Sequence, residues 1–121
     1  MLNGIRVLVV EDEALIAHEL AEAITTAEGD LVGPYATART AAAAVREERI
    51  DVAILDVNLA DGDVTPVLEA LSARHVPIIV YTAGEVPAAV RQRHPDLRIL
   101  PKPVQTARVL AEIRRAAKVR A

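Results

Sequence analysis

The sequence predicts an α/β domain in which a parallel sheet lies between two layers of helices. Three observations carry that prediction. Short runs of aliphatic, largely β-branched residues recur along the chain, each is followed by a stretch of helical periodicity, and the connections between them are short. Five such alternations bury strands on both faces and set helices above and below the sheet.

Residues 5–10, IRVLVV, form a short apolar run of the kind a doubly covered strand requires. From Ala14 the period changes: Ile16, Leu20 and Ile24, with Ala17, Ala23 and Ala27, make one apolar stripe opposite Glu19 and Glu22. Asp12 is the expected N-cap of this helix, which stops near EGD, residues 28–30. LVGPYA, residues 31–36, is a weaker strand whose Gly33 and Pro34 suit a sheet edge. TARTAAAAVREER, residues 37–49, is helical by its alanine content. DVAILD, residues 51–56, is a further buried strand, followed by the loop VNLADGD and a helix over about 64–74. Pro66 fits that helix because it falls in the first turn, where its missing N–H is not needed. VPIIVYT, residues 76–82, is the fourth strand; EVPAAVRQR, residues 85–93, a short helix; LRIL, residues 97–100, the fifth strand. VQTARVLAEIRRAAKV, residues 104–119, closes the chain as an amphipathic helix.

A length of 121 residues fits one domain spanning 1–121 and suffices to bury roughly two thirds of the unfolded surface. Aromatic residues make up 2% of the chain, so the core must be aliphatic. The net charge of −3 argues against a nucleic-acid module, which needs a basic excess. With no cysteine there is neither a disulfide framework nor a thiolate metal site. MLNGIR, the stretch at the first strand, is too short and polar for a signal peptide, so none is expected, and no apolar run approaches the ~20 residues of a membrane span. The chain therefore reads as cytoplasmic, with no role at a membrane.

Ligands of an open parallel sheet bind beyond the carboxyl ends of its strands, so the residues directly after each apolar run are informative. Glu11 and Asp12 come after the first run, Asp56 ends the third, Thr82 the fourth, and Lys102 lies just past the fifth. Crowded carboxylates raise one another's pKa and cost stability unless a cation neutralises them. One or two carboxylates with positions open for water and phosphate suit Mg²⁺. Glu13, one residue on, is expected to turn away onto the helix surface, favoured there by the helix dipole. Of the 14 basic residues, 12 are arginine, yet the tract PKP carries a lysine. A compact ammonium acts as a point charge toward a phosphoryl group, and the flanking prolines stiffen the loop that aims it. The Lys102–Pro103 bond is a candidate cis peptide.

Taken in order, the motifs VVEDE, ILDVNLADGD, VYTAG and PKP resemble the receiver domain of bacterial two-component response regulators, over essentially the entire chain. The resemblance implies a flavodoxin-like (βα)5 sandwich with strand order 2-1-3-4-5. It implies that Asp56 accepts a phosphoryl group, and that Glu11, Asp12, Asp56 and the backbone carbonyl of Asn58 hold Mg²⁺. Thr82 matches the switch hydroxyl, Lys102 the lysine that pairs with phosphoryl oxygens, and the small Ala83 keeps the phosphoryl site open. The implied partner is a sensor histidine kinase or a histidine phosphotransfer protein, with slow hydrolysis of the acyl phosphate afterwards. Ile99 departs from the pattern, because the family usually places an aromatic residue there that turns inward as the threonine moves. Tyr81 offers a substitute ring, against the alternative of a packed tyrosine. DVNLADGDVTPVLEAL resembles stand-alone receivers, so signalling is expected through protein contact or as a phosphoryl sink.

Rival readings fit less well. DVNLADG echoes a calcium loop, but Ala60 occupies the fifth position and the segment comes after a strand. No Gly-rich turn follows the first strand, as a nucleotide site would need, and DVN lacks the second acid of a metal-dependent phosphatase. The remaining alternative is a degenerate receiver that binds partners without phosphorylation. His18 sits on the polar side of the first helix as a surface residue, and His75 and His94 have no ligand-spaced partner. Arg114, Arg115, Lys118 and Arg120 give a basic end that suits the dipole of the last helix. Leu15 has His18, Glu19 and Glu22 as helical neighbours, so it is expected to stand exposed beside the acidic rim. The resemblance to receivers, which dock the phosphodonor's histidine helix at this edge of the first helix, implies that Leu15 contacts the phosphodonor.

Overall fold

The computed structural model describes residues 1–59 and 61–120, apart from the side chains of Val119 and Arg120. Ala60, the fifth residue of the segment that echoes a calcium loop, thus lies outside the described residues, as do Ala121 and the Arg120 side chain of the basic C-terminal cluster. Strands β1 (Arg6–Val10), β2 (Asp30–Tyr35), β3 (Val52–Leu55), β4 (Ile78–Thr82) and β5 (Arg98–Pro101) alternate with helices α1 (Ala14–Thr26), α2 (Ala38–Glu47), α3 (Thr65–Ala73), α4 (Ala88–Arg93) and α5 (Thr106–Arg120). The five strands form one parallel sheet in the order β2-β1-β3-β4-β5.

The sheet separates two aliphatic cores, because successive side chains of a strand leave it on opposite faces. Leu8, Val10, Ala53, Leu55, Ile78 and Val80 pack under α2 and α3. Val7, Val9, Val52, Ile54, Ile79 and Tyr81 pack under α1 and α5, against Leu20, Ile24, Val109 and Ile113. No described helix is long and apolar enough to cross a membrane.

β2 takes the edge position expected of it. Gly33 has φ +105°, and a Cβ there would lie 2.9 Å from both the Val9 carbonyl oxygen and the Tyr35 nitrogen. The β1–β2 register shifts at this point, between Leu8 and Val10. Gly33–Pro34 and Lys102–Pro103 are both cis, the second as anticipated.

Several boundaries differ from expectation for local reasons. α1 has Glu13 and not Asp12 as its N-cap residue, extended at φ −81° and ψ 109° with no side-chain capping bond. Asp12 instead lies in the turn before it, with its carboxylate near Glu11 and Asp56. α4 begins only after Pro87, since a residue preceding proline is disfavoured in the helical region, and none of its six residues is fully buried. α5 starts at Thr106, two residues later than expected, and ahead of it the Val104 N–H donates to the Tyr81 hydroxyl at 3.2 Å. α2 is capped twice: the Thr37 side chain accepts from the Thr40 N–H, and the Asp61 carboxylate accepts from the N–H groups of Ala38 and Arg39 at 2.9 and 3.3 Å. Those bonds hold the Asp61 pKa below the usual carboxylate value. They also fasten the β3–α3 loop to the start of α2 across 23 residues of sequence.

Candidate functional site

The carboxyl ends of β1, β3, β4 and β5 converge, and they bring together what the primary structure scatters. Glu11 and Asp56, the residues directly after β1 and β3, are each at most 5% exposed, and Thr82 at the end of β4 is 2% exposed. Asp12 is half-buried beside them. One carboxylate oxygen from each of Glu11, Asp12 and Asp56 lies within 4.8 Å of the others, a separation at which three hard oxygen donors can share one cation.

Lys102 reaches into this group from the loop after β5. Its Nζ is 2.7 Å from Glu11 Oε1, 2.8 Å from Asp56 Oδ2 and 3.1 Å from Glu13 Oε1, with the side chain only 5% exposed. The backbone N–H of Lys102 donates to the Thr82 carbonyl at 3.0 Å, which ties the loop to the end of β4. Glu13 therefore does not turn away onto the helix surface. At the mouth of α1 it donates its N–H to Glu11 Oε2 at 3.3 Å, and its carboxylate leans over Lys102.

These contacts set the charges. Burial is the largest influence on Glu11 and pushes its pKa up, against the pull of Lys102 and the Glu13 N–H. Burial also works to raise Asp56, but hydrogen bonds from Lys102, the Asn58 N–H and the Thr82 side chain together outweigh it and hold its pKa below the usual value. Burial works to lower Lys102, and its bonds to Asp56, Glu11 and Glu13 reverse that and raise its pKa above the usual lysine value. Asp56 is thus an ionised carboxylate held against an ammonium, in a pocket with donors aimed at both its oxygens.

Asn58 takes part through groups that sequence spacing did not single out. Its N–H donates to Asp56 Oδ1 at 2.9 Å, and its Nδ2 donates to Thr82 Oγ1 at 3.1 Å. The Gly84 N–H approaches the same hydroxyl at 3.4 Å, and a Cβ on Gly84 would crowd Asn58 Nδ2 at 3.3 Å. A polar residue two positions past a strand-end acid, facing a threonine, was the available signal. Ala83 is exposed next to Thr82.

The remaining predicted positions fall outside this cluster. Leu15 stands 72% exposed and Ile99 45% exposed. Tyr81 does not replace the missing ring, because β4 and β5 are in register at Val80–Ile99 and Tyr81–Leu100, so Tyr81 and Ile99 leave the sheet on opposite faces. Tyr81 packs toward α5, its hydroxyl near the Val104 backbone and its ring centroid 5.8 Å from Lys102 Nζ. His18 pairs weakly with Glu22 at 3.6 Å on the surface, while His94 bonds Ser72 Oγ through Nδ1 at 3.0 Å.

Known proteins resemble this chain in sequence and fold. The chain is 34% identical over 114 residues to the phyllosphere-induced regulator PhyR of Methylorubrum extorquens, covering 91% of the chain and 42% of that protein. It is 31% identical over 117 residues to a protein-glutamate methylesterase/protein-glutamine glutaminase of Anaeromyxobacter dehalogenans, covering 91% of the chain and 32% of that protein, so the chain spans less than half the length of these relatives. Among solved structures, SdrG of Sphingomonas melonis Fr1 superposes with a TM-score of 0.79 at 38% identity, covering 98% of this chain and 99% of SdrG. The receiver domain of the sensor histidine kinase PA1611 from Pseudomonas aeruginosa, described with a magnesium ion coordinated in its active-site cleft, shares the fold with a TM-score of 0.80 at 21% identity, over 95% of this chain and 98% of that one. Residues 7–114 match the family model of the response regulator receiver domain, and with the sheet order and the acidic rim they make this chain a member of that family, the receivers of two-component signalling.

Proposed function

We propose that this domain accepts a phosphoryl group from a phosphohistidine onto Asp56, with Mg²⁺ held by Glu11, Asp12, Asp56 and the Asn58 carbonyl, and that it acts in the cytoplasm through protein contact. The observation that carries the reading is the position of the Asp56 carboxylate, between an acidic pair within 4.8 Å and an ammonium at 2.8 Å. Phosphoryl transfer asks the protein for an aligned nucleophile and for charge at the transferring oxygens, and little else. Asp56 is the nucleophile: the donor's P–N bond breaks as the P–O bond forms, and the histidine, carrying a proton on its other ring nitrogen, leaves as neutral imidazole. The hydrogen bonds from Lys102, the Asn58 N–H and Thr82 favour the ionised form of Asp56, the form that attacks. A bound Mg²⁺ would supply positive charge to the phosphoryl oxygens. Lys102 supplies a further charge from the loop after β5. Thr82 can turn its hydroxyl to a phosphoryl oxygen, which draws the β4–α4 connection inward and shifts a two-state equilibrium. Leu15, exposed beside the rim, is the contact for a histidine kinase or phosphotransfer protein.

The test is labelling with acetyl phosphate, read by intact mass. The expected result is one base-labile phosphoryl adduct on wild type in Mg²⁺, absent from Asp56→Asn and from metal-free protein. No adduct under any condition would leave the degenerate, phosphorylation-independent binder as the better account.

A further inference from the structure

Lys102 and the cation cluster draw on the same charges. The ammonium sits on three carboxylates, and two of them, Glu11 and Asp56, are members of the cluster that can hold a divalent ion. A dication there would neutralise both and repel the ammonium at short range. Of the three partners Glu13 alone stands outside the cluster. Its side chain is 58% exposed, so its charge carries no burial penalty, and its backbone is fixed at the N-cap of α1 by the bond to Glu11.

We infer that Glu13 is a positioning residue, which holds the Lys102 ammonium at the rim when a cation occupies the Glu11–Asp12–Asp56 cluster, so that the lysine remains poised for the incoming phosphoryl group. This rests on the cation site and acceptor role proposed above. In the metal-free protein Glu13 is one of three anchors for Lys102; with the cation bound it becomes the main one. Removing Glu13 therefore costs the metal-bound protein more than the metal-free one.

The experiment is a double-mutant cycle read as Mg²⁺ affinity by calorimetry, with Mg²⁺ alone as ligand. Glu13→Gln should weaken binding about two- to fivefold, the range of a partly exposed ion pair. In the Lys102→Met background the same substitution should change affinity by less than about 1.5-fold, because only a screened, distant charge is lost. Equal weakening in both backgrounds, or none in wild type, overturns the inference. No Mg²⁺ binding by wild type overturns the cation site itself, and with it this role. The ¹⁵N signal of the Lys102 ammonium gives a second readout that does not depend on Lys102→Met folding. It should stay ordered in Mg²⁺-loaded wild type and broaden away in loaded Glu13→Gln; a signal that persists in both refutes the holding role.

Discussion

Asn58→Ala is the perturbation that tests how Thr82 is restrained. In the resting arrangement Asn58 Nδ2 donates to Thr82 Oγ1 at 3.1 Å, and Thr82 itself is buried. If the threonine must give up this bond to reach a phosphoryl group, the bond weighs on the resting side of the switch. A neutral hydrogen bond of this kind is worth about 1 kcal/mol net. Its loss should then shift the resting-to-switched ratio about fivefold and tighten binding of beryllofluoride, an acyl-phosphate mimic, by the same factor. The truncation leaves the Asn58 backbone in place, both the N–H bonded to Asp56 and the proposed metal-ligating carbonyl. The assay is a beryllofluoride titration in saturating Mg²⁺, followed by the amide shifts of Thr82 and Gly84. Thr82→Val should abolish the gain in the double variant. Unchanged or weaker binding by Asn58→Ala would show that the amide does not hold the threonine back.

Three further outcomes are expected. Lys102 titrates above the usual 10.5, so its ion pairs are fully present below that pH and are lost as pH rises through the folded value; thermal midpoints above pH 10.5 should fall more steeply for wild type than for Lys102→Met, and parallel curves would refute the pairing. Gly33→Ala places a Cβ against two backbone atoms at positive φ and should cost about 1–3 kcal/mol in urea unfolding, whereas Gly4→Ala, at positive φ in open space, should cost less; equal losses would mean that crowding at Val9 is relieved cheaply. Leu15→Asp should slow transfer from a phosphorylated partner and leave acetyl phosphate labelling intact, and equal loss of both would count against Leu15 as the docking contact.

Much of the fold was legible because parallel strands buried on both faces must be apolar throughout, and runs such as VLVV and VAIL can satisfy little else. The strand-end position of Glu11, Asp56 and Thr82 follows from the same alternation, which explains why the rim could be read before any contact was known. Glu13 was misplaced for a reason spacing cannot reach: its partner Lys102 lies 89 positions away, and the pair meets only because the loop after β5 is tied back to Thr82. The Asp61 clasp on α2 was equally invisible, since a helix cap is sought in the residues that adjoin it and this one is supplied from a different loop. Helix ends moved by one to three residues, the most at the start of α4, where Pro87 intervened.

The Tyr81 ring has a practical consequence. The chain has no tryptophan and no phenylalanine, so its near-ultraviolet emission comes from two tyrosines, Tyr35 at the sheet edge and Tyr81 beneath the Lys102 ammonium. A phenol with a cation 5.8 Å from its centre senses any displacement of that cation. Occupancy of the acidic rim can therefore be followed as a change in tyrosine light, with no dye or tag attached, and Tyr81→Leu separates that signal from the contribution of Tyr35.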